Sequence, residues 1–120
     1  MYLKSFKELI VWQKAMELAK LTFEITSMYP KSEIYGLVSQ SRRCAVSIPS
    51  NIAEGYGRRS RKEYIQFLKV AYGSSLELET QLILASRLKF IDEKKFEIST
   101  NLLQEVQKML NSMINKFYTG

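Results

Sequence analysis

The chain has 120 residues, 46% of them hydrophobic, with only five glycines and two prolines. This length and composition fit one folded domain and argue against a disordered or collagen-like chain. The formal net charge is +6, there is no histidine, and Cys44 is the single cysteine. An intramolecular disulfide, a thiolate zinc cluster and catalysis by histidine are therefore excluded.

The first predicted helix spans about residues 6–28. Ser5 and Glu8 have the spacing of a capping box, and Tyr29 precedes Pro30, where an α conformation is disfavoured. Its apolar residues repeat at helical spacing in two neighbouring stripes. The first stripe is Leu9, Trp12, Met16, Ala19, Phe23 and Thr26, and the second is Val11, Ala15, Leu18 and Ile25.

The second predicted helix spans about residues 33–54. Pro49 interrupts its pattern, and because the pattern continues beyond it, we expect a bent helix rather than a terminated one. Gly55 and Gly57 then supply its end. The predicted inner side consists of Ile34, Leu37, Val38, Ser41, Ala45, Ile48 and Ile52.

Two further helices are predicted at about residues 61–89 and 93–117. Ser60 and Glu63 form a capping box for the third helix, and Asp92 is the predicted N-cap of the fourth. Gly73 lies within a cluster of small residues, which predicts the close approach of another helix from this chain or a neighbour. The predicted inner residues are Tyr64, Phe67, Ala71, Ser75, Leu78, Leu82 and Ala85, then Phe96, Leu103, Val106, Leu110, Met113 and Phe117.

These elements predict an all-α fold: a single domain over residues 1–120, built as an antiparallel up-down-up-down four-helix bundle. The connections are short, as helices that pack beside their chain neighbours require. No run approaches the roughly 20 apolar residues that span a bilayer. Because Met1 to Leu9 include charged residues, we expect no signal peptide and a cytoplasmic location.

Most of the net charge falls in one basic segment, from Arg42 to Lys62. It holds six basic residues and one acidic residue, whereas the other 99 residues hold 12 basic and 11 acidic ones. Nucleic-acid binding and an ordinary solvated turn explain this segment equally well. Tyr56 and Tyr64 flank it as candidates for base stacking, although Tyr64 fits a core position better. The six candidate residues are Arg42, Arg43, Arg58, Arg59, Arg61 and Lys62.

No group of residues predicts catalysis, a metal site or a cofactor site. Cys44 lies in a helical pattern, where an inert buried thiol is more common than a reactive one. Glu77 and Glu79 are two residues apart and so point to different sides of a helix. Gly55-Tyr56-Gly57 follows a helix rather than a strand, which favours a helix end over a phosphate loop.

The run Ser47-Ile48-Pro49-Ser50-Asn51-Ile52-Ala53-Glu54-Gly55 resembles the four-helix-bundle family encoded by intervening sequences in bacterial 23S ribosomal RNA genes. Gln40 to Arg43 and Ala71 to Glu79 add to this resemblance, which covers about residues 6–85. The resemblance implies a homopentamer and no enzymatic activity. Its relatives include the accessory variability protein of diversity-generating retroelements, which binds nucleic acid and a reverse transcriptase through basic surface.

The resemblance also implies structural roles for the motif residues Ser47, Pro49, Asn51, Glu54 and Gly55. Polar groups near Pro49 are expected to bond the carbonyl that the proline frees at Ala45. The two stripes of the first helix fit an oligomer, since a monomer needs only one. We expect a non-enzymatic oligomer that binds RNA or DNA through the basic segment. The alternative is a protein-interaction adaptor with an acidic partner.

Overall fold

Four α-helices account for most of the chain between residues 10 and 119. The computed structural model describes the backbone of residues 4–119 and the side chains of residues 4–117. Residues 1–3 and 120 of the predicted domain lie outside this description. The helices are α1 (Ile10–Thr26), α2 (Leu37–Tyr56), α3 (Arg61–Arg87) and α4 (Glu93–Thr119), with 3-10 turns at Phe6–Glu8 and Lys31–Glu33.

Each helix packs against its neighbours in the chain, and α4 returns to α1. The bundle measures 45 × 23 × 21 Å. The predicted all-α, antiparallel up-down-up-down bundle is therefore confirmed. Within residues 4–119, no helix is both long enough and apolar enough to cross a membrane.

The N-caps of α3 and α4 form at the predicted residues, whereas that of α1 does not. In the predicted box of α3, Glu63 Oε2 accepts a hydrogen bond from the Ser60 hydroxyl at 3.1 Å. Ser60 Oγ accepts a hydrogen bond from the Glu63 amide at 3.0 Å, and Asp92 Oδ1 accepts one from the Lys95 amide at 2.8 Å. Ser5 caps only the 3-10 turn, because Leu9 then adopts an extended backbone. The predicted first helix of residues 6–28 is thus reduced to a turn followed by Ile10–Thr26.

The ends of α2 and α3 also differ from prediction. A 3-10 turn precedes α2, which begins at Leu37 and leaves Ile34 55% exposed rather than in the core. Helix α2 runs through Gly55 to Tyr56, and Gly57 has φ −77°, so neither predicted glycine ends it in the left-handed conformation common at helix ends. Lys89, with φ 64°, adopts the left-handed conformation instead. Helix α3 ends at Arg87, two residues earlier than predicted. The Phe90 amide then bonds the Ala85 carbonyl at 2.9 Å.

The core confirms most of the inner positions and corrects several. In α1 the second stripe is buried, while Met16 and Phe23 of the first stripe are 45% and 42% exposed. In α3, Tyr64 and Phe67 are only half-buried, because Ile65 and Leu68 face inward instead. The largest fully buried apolar side chains are Leu18, Ile48, Ile52, Leu68, Leu78, Leu82, Leu103, Val106 and Leu110.

Gly55 sets how closely α2 approaches α3. A Cβ atom at this position would lie 2.7 Å from Phe67 Cβ and 3.1 Å from Tyr64 Cδ1. The nearer atom belongs to the first carbon of a side chain on a packed helix, which cannot rotate away. Glycine is therefore required at this crossing for steric reasons. At Gly73, by contrast, nothing lies within 4 Å, so no helix of this chain accounts for that glycine.

We expect Gly55→Ala to destabilise the bundle by about 1–3 kcal/mol, the usual cost of overpacking a close contact. Gly57→Ala is the matched control, because its Cβ would meet the Glu54 and Ala53 carbonyl oxygens at 3.5 and 3.9 Å, which are ordinary contact distances. Urea unfolding followed by circular dichroism, at one protein concentration, measures both. A Gly55→Ala protein as stable as the Gly57→Ala protein would contradict the steric account.

Candidate nucleic-acid interface

Three cations lie together where α2 turns into α3. Arg59 is in the turn, and Arg61 and Lys62 are the first two residues of α3. All three side chains are exposed, and none forms an ion pair with another described side chain. The Ser60 cap fixes the direction of α3 and thereby the positions of its first residues. We call Arg59, Arg61 and Lys62 the basic end.

Arg58 adjoins the basic end but is engaged within the bundle. Its Nη2 donates to Glu54 Oε2 at 2.8 Å, and its Nη1 lies 3.9 Å from Glu63 Oε1. The guanidinium also lies over the Phe67 ring, 4.8 Å from its centroid. Arg58 therefore joins the end of α2 to the start of α3, and its charge is partly balanced by two carboxylates.

Arg42 and Arg43 lie near the opposite end of the bundle. They lie 14 and 13 residues before Tyr56, the last residue of α2, which corresponds to roughly 20 Å of helix. Arg42 Nε donates to Thr26 Oγ1 at 2.9 Å, and its Nη2 donates to the Phe23 carbonyl at 3.3 Å. A cation on the last carbonyls of α1 is favourable for that helix. The structure therefore does not bring the six predicted cations together within one chain.

The motif around Pro49 forms a polar contact between α2 and α3. Helix α2 runs through Pro49 without interruption. Ser47 Oγ and Ser74 Oγ are 2.9 Å apart, and Asn51 Nδ2 donates to the Ser47 carbonyl at 2.8 Å and to Ser47 Oγ at 3.0 Å. The amide group thus bonds the carbonyl of Ser47, where we expected that of Ala45. These contacts join α2 and α3, the two helices on either side of the turn at the basic end.

The aromatic residues beside the basic end pack on one another. The Tyr56 and Tyr64 rings meet edge to face at 6.2 Å, and Tyr64 lies 5.1 Å from Phe117. Burial, with a smaller contribution from Tyr56, raises the pKa of Tyr64 to about 12. Tyr64 thus packs between helices as a half-buried residue at the edge of the core, rather than in the inner position that its spacing favoured.

Cys44 and its neighbours do not form a reactive centre. Its thiol lies 3.6 Å from Glu77 Oε2 and accepts from Gln81 Nε2 at 3.6 Å. Burial raises the pKa of the Cys44 thiol, and although the Gln81 donor lowers it, the Glu77 charge raises it further. A thiol held in the protonated form is a poor nucleophile. Among the described residues, no three His, Cys, Asp or Glu side chains are placed to hold a metal ion.

Part of the first α1 stripe, with Met16 exposed and Trp12 half-buried, lies beside apolar residues of α2. Trp12, Met16 and Ala19 line one side of an open groove, and Val46, Pro49 and Ala53 line the other. Periodicity identified the α1 stripe but assigned no outward face to α2. Val46, at 44% exposure, was missed because it falls outside the single stripe expected of that helix.

Comparison with known proteins places this fold and motif in a family. The family model described as 23S rRNA-intervening sequence protein matches residues 7–112, which include α1, α2, α3 and most of α4. The chain belongs to this family. This match confirms the family resemblance that was inferred from the motif around Pro49. A search of curated proteins finds no match.

A crystal structure of a family relative shares the architecture. It is a protein with unknown function from the S23 ribosomal protein family of Bacteroides thetaiotaomicron VPI-5482. The two are 27% identical, with a TM-score of 0.82 over 88% of this chain and 98% of that one. This intervening-sequence protein is therefore similar to that bundle over almost the full length of the relative.

Arg42 is expected to stabilise the fold, whereas Arg43 is not. Arg42→Gln removes the bonds to Thr26 and Phe23, and we expect a loss of about 1 kcal/mol in the free energy of unfolding. Arg43→Gln, the matched control, changes an exposed side chain and should stay within about 0.5 kcal/mol of wild type. Thermal and urea unfolding measure both. Equal stability of the two variants would contradict the capping role.

Proposed function

We propose that this protein is a non-enzymatic subunit of a homo-oligomeric ring, with the pentamer as the expected form, that binds RNA or DNA through its basic end. The observation that carries the proposal is the cluster of Arg59, Arg61 and Lys62, exposed and without an acidic partner among the described side chains. A reverse transcriptase partner remains a prediction from the family resemblance.

Electrostatics favour an anionic ligand at this place. The amides of the first turn of α3 carry a partial positive charge, so Arg61 and Lys62 are placed where cations disfavour the helix. A phosphate group relieves that repulsion and accepts hydrogen bonds from the same side chains. The arrangement is therefore more stable with an anion bound than without one.

Oligomerisation increases the affinity for nucleic acid that a small basic patch can provide. Three or four phosphate contacts give only weak binding by one chain, but linked copies act at high effective concentration. A pentamer of chains with a formal charge of +6 carries roughly +30, which also raises the rate of encounter with a polyanion. Assembly and nucleic-acid binding thus support each other.

Two separate apolar faces support self-association. One is the α1–α2 groove with Met16 and Val46, and the other is the outward side of α3, where Leu76 and Leu84 are 44% and 47% exposed. Single exposed apolar residues are ordinary, but clusters on two faces are typical of interaction surfaces. Two different faces that meet head to tail build a closed ring when the rotation closes.

Charge reversal tests the basic end. In Arg59→Glu/Arg61→Glu/Lys62→Glu we expect RNA and DNA affinity to fall by at least about tenfold at low salt. The slope of log affinity against log salt concentration should also become smaller, by the amount that roughly three phosphate contacts contribute. The control is Lys31→Glu/Lys89→Glu/Lys94→Glu, which changes the net charge equally on exposed residues at the other end. Fluorescence anisotropy measures both. If the two variants bind equally, the basic end is not the interface.

A protein-interaction adaptor would behave differently in the same titration. Wild type would bind nucleic acid weakly, without dependence on its length, and both triple variants would resemble it. That outcome would overturn the nucleic-acid proposal.

The ring is tested by light scattering coupled to size exclusion. Met16→Glu/Val46→Glu places two carboxylates on the α1–α2 groove, so we expect the mass to fall towards that of one chain. Met28→Glu/Ile34→Glu is the control, since these residues are 68% and 55% exposed at the connection between α1 and α2. The control should keep the wild-type mass. A wild-type protein that is already monomeric at micromolar concentration would refute the ring.

A further inference from the structure

The basic end has cations, but among the described side chains it has no exposed aromatic ring on which a base could stack. Tyr56 packs edge to face on Tyr64, and Tyr64 packs on Phe117, so this aromatic cluster is part of the bundle. Proteins that hold single strands usually stack successive bases on exposed rings. Here the rings beside the cations join helices instead.

The exposed aromatic residues lie elsewhere. Tyr35 is 94% exposed, but it precedes α2 and is therefore at the opposite end of the bundle from the basic end. Phe23 is 42% exposed, yet Arg42 covers its ring at 4.8 Å. Among the described side chains, neither of these rings can reach a base that is held at Arg59 to Lys62.

The cations themselves are suited to phosphate groups. Arg59 and Arg61 offer planar guanidinium groups that bond two phosphate oxygens at once, and Lys62 adds a point charge. Lys62 and Lys69 line a shallow groove on α3, two helical turns and roughly 10 Å apart. The surface therefore follows the side of a helix over a distance that spans several phosphates.

A ligand held only by its phosphates is bound best where phosphates are densest. A double helix carries one charge per roughly 1.7 Å of its axis, about twice the density of one strand, and it releases more counterions for each contact. The described side chains of this surface offer no ring for stacking, so the surface they form gains nothing from the exposed bases of a single strand. The higher phosphate density and the lack of a described stacking ring therefore both favour a duplex over a single strand.

We propose that the basic end binds the phosphate backbone of double-helical nucleic acid, without base stacking and in preference to a single strand. This inference rests on the proposed function and narrows its ligand. Discrimination between RNA and DNA is not part of it, because backbone contacts are available on both kinds of duplex.

The test compares a labelled oligonucleotide of about 20 nucleotides, longer than the roughly 4–16 that one single-strand module covers, with its own duplex. Its sequence is chosen to have no self-complementarity. With about four phosphate contacts, the difference in counterion release predicts a duplex preference of about tenfold at low salt that disappears near 1 M salt. Anisotropy titrations over a range of salt concentrations give both the affinity and the slope.

Tyr56→Leu provides the decisive variant, with Tyr35→Leu as its control at the other end. We expect both variants to bind single strand and duplex as wild type does. Tighter wild-type binding to the single strand, lost in Tyr56→Leu, would overturn the duplex inference while leaving nucleic-acid binding intact. No binding of either form by wild type would overturn the proposed function itself.

Discussion

The contact between α2 and α3 is the constraint on which the rest of the structure depends. Gly55 admits the Phe67 side chain at a distance that no larger residue allows, and the Ser47 and Ser74 hydroxyls meet at 2.9 Å farther along the same pair of helices. A steric contact and a polar contact therefore fix both the separation and the register of these helices. The turn that carries Arg59 and the first residues of α3, Arg61 and Lys62, are therefore positioned by this pair of helices.

The cations of the basic segment have two different roles in the structure. Some bond other helices of the bundle, and the others face solvent. Arg42 bonds the end of α1, and Arg58 links α2 to α3 while lying over Phe67. Arginine suits both tasks because its planar group donates in several directions and packs on an aromatic face. Only the remaining cations at the basic end, Arg59, Arg61 and Lys62, are left to face solvent there. The number of cations in this segment of the sequence is therefore larger than the number that any one surface of the bundle exposes.

Much of the fold was predictable because its signals are local. The caps at Ser60 and Asp92 involve residues three apart, so spacing alone reveals them. Periodicity shows which residues share a face, but it does not show which face points inward. That is why the Met16 stripe was found in α1, while the exposure of Met16 and Phe23 within it was not. The role of Arg42 was also hidden, since Thr26 lies 16 residues away and the contact exists only after α1 and α2 pack.

The proposed ring changes how a weak charged surface acts. In any closed cyclic assembly, equivalent residues lie at the same height along the axis. Every α2–α3 turn would then sit on one circle, whichever faces of the bundle form the interface. A double helix that lies across this circle meets more than one basic end, and each contact after the first is intramolecular. The same symmetry disfavours compact ligands such as single nucleotides, which reach one basic end only. Binding should therefore grow with duplex length up to the span of the ring and then level off.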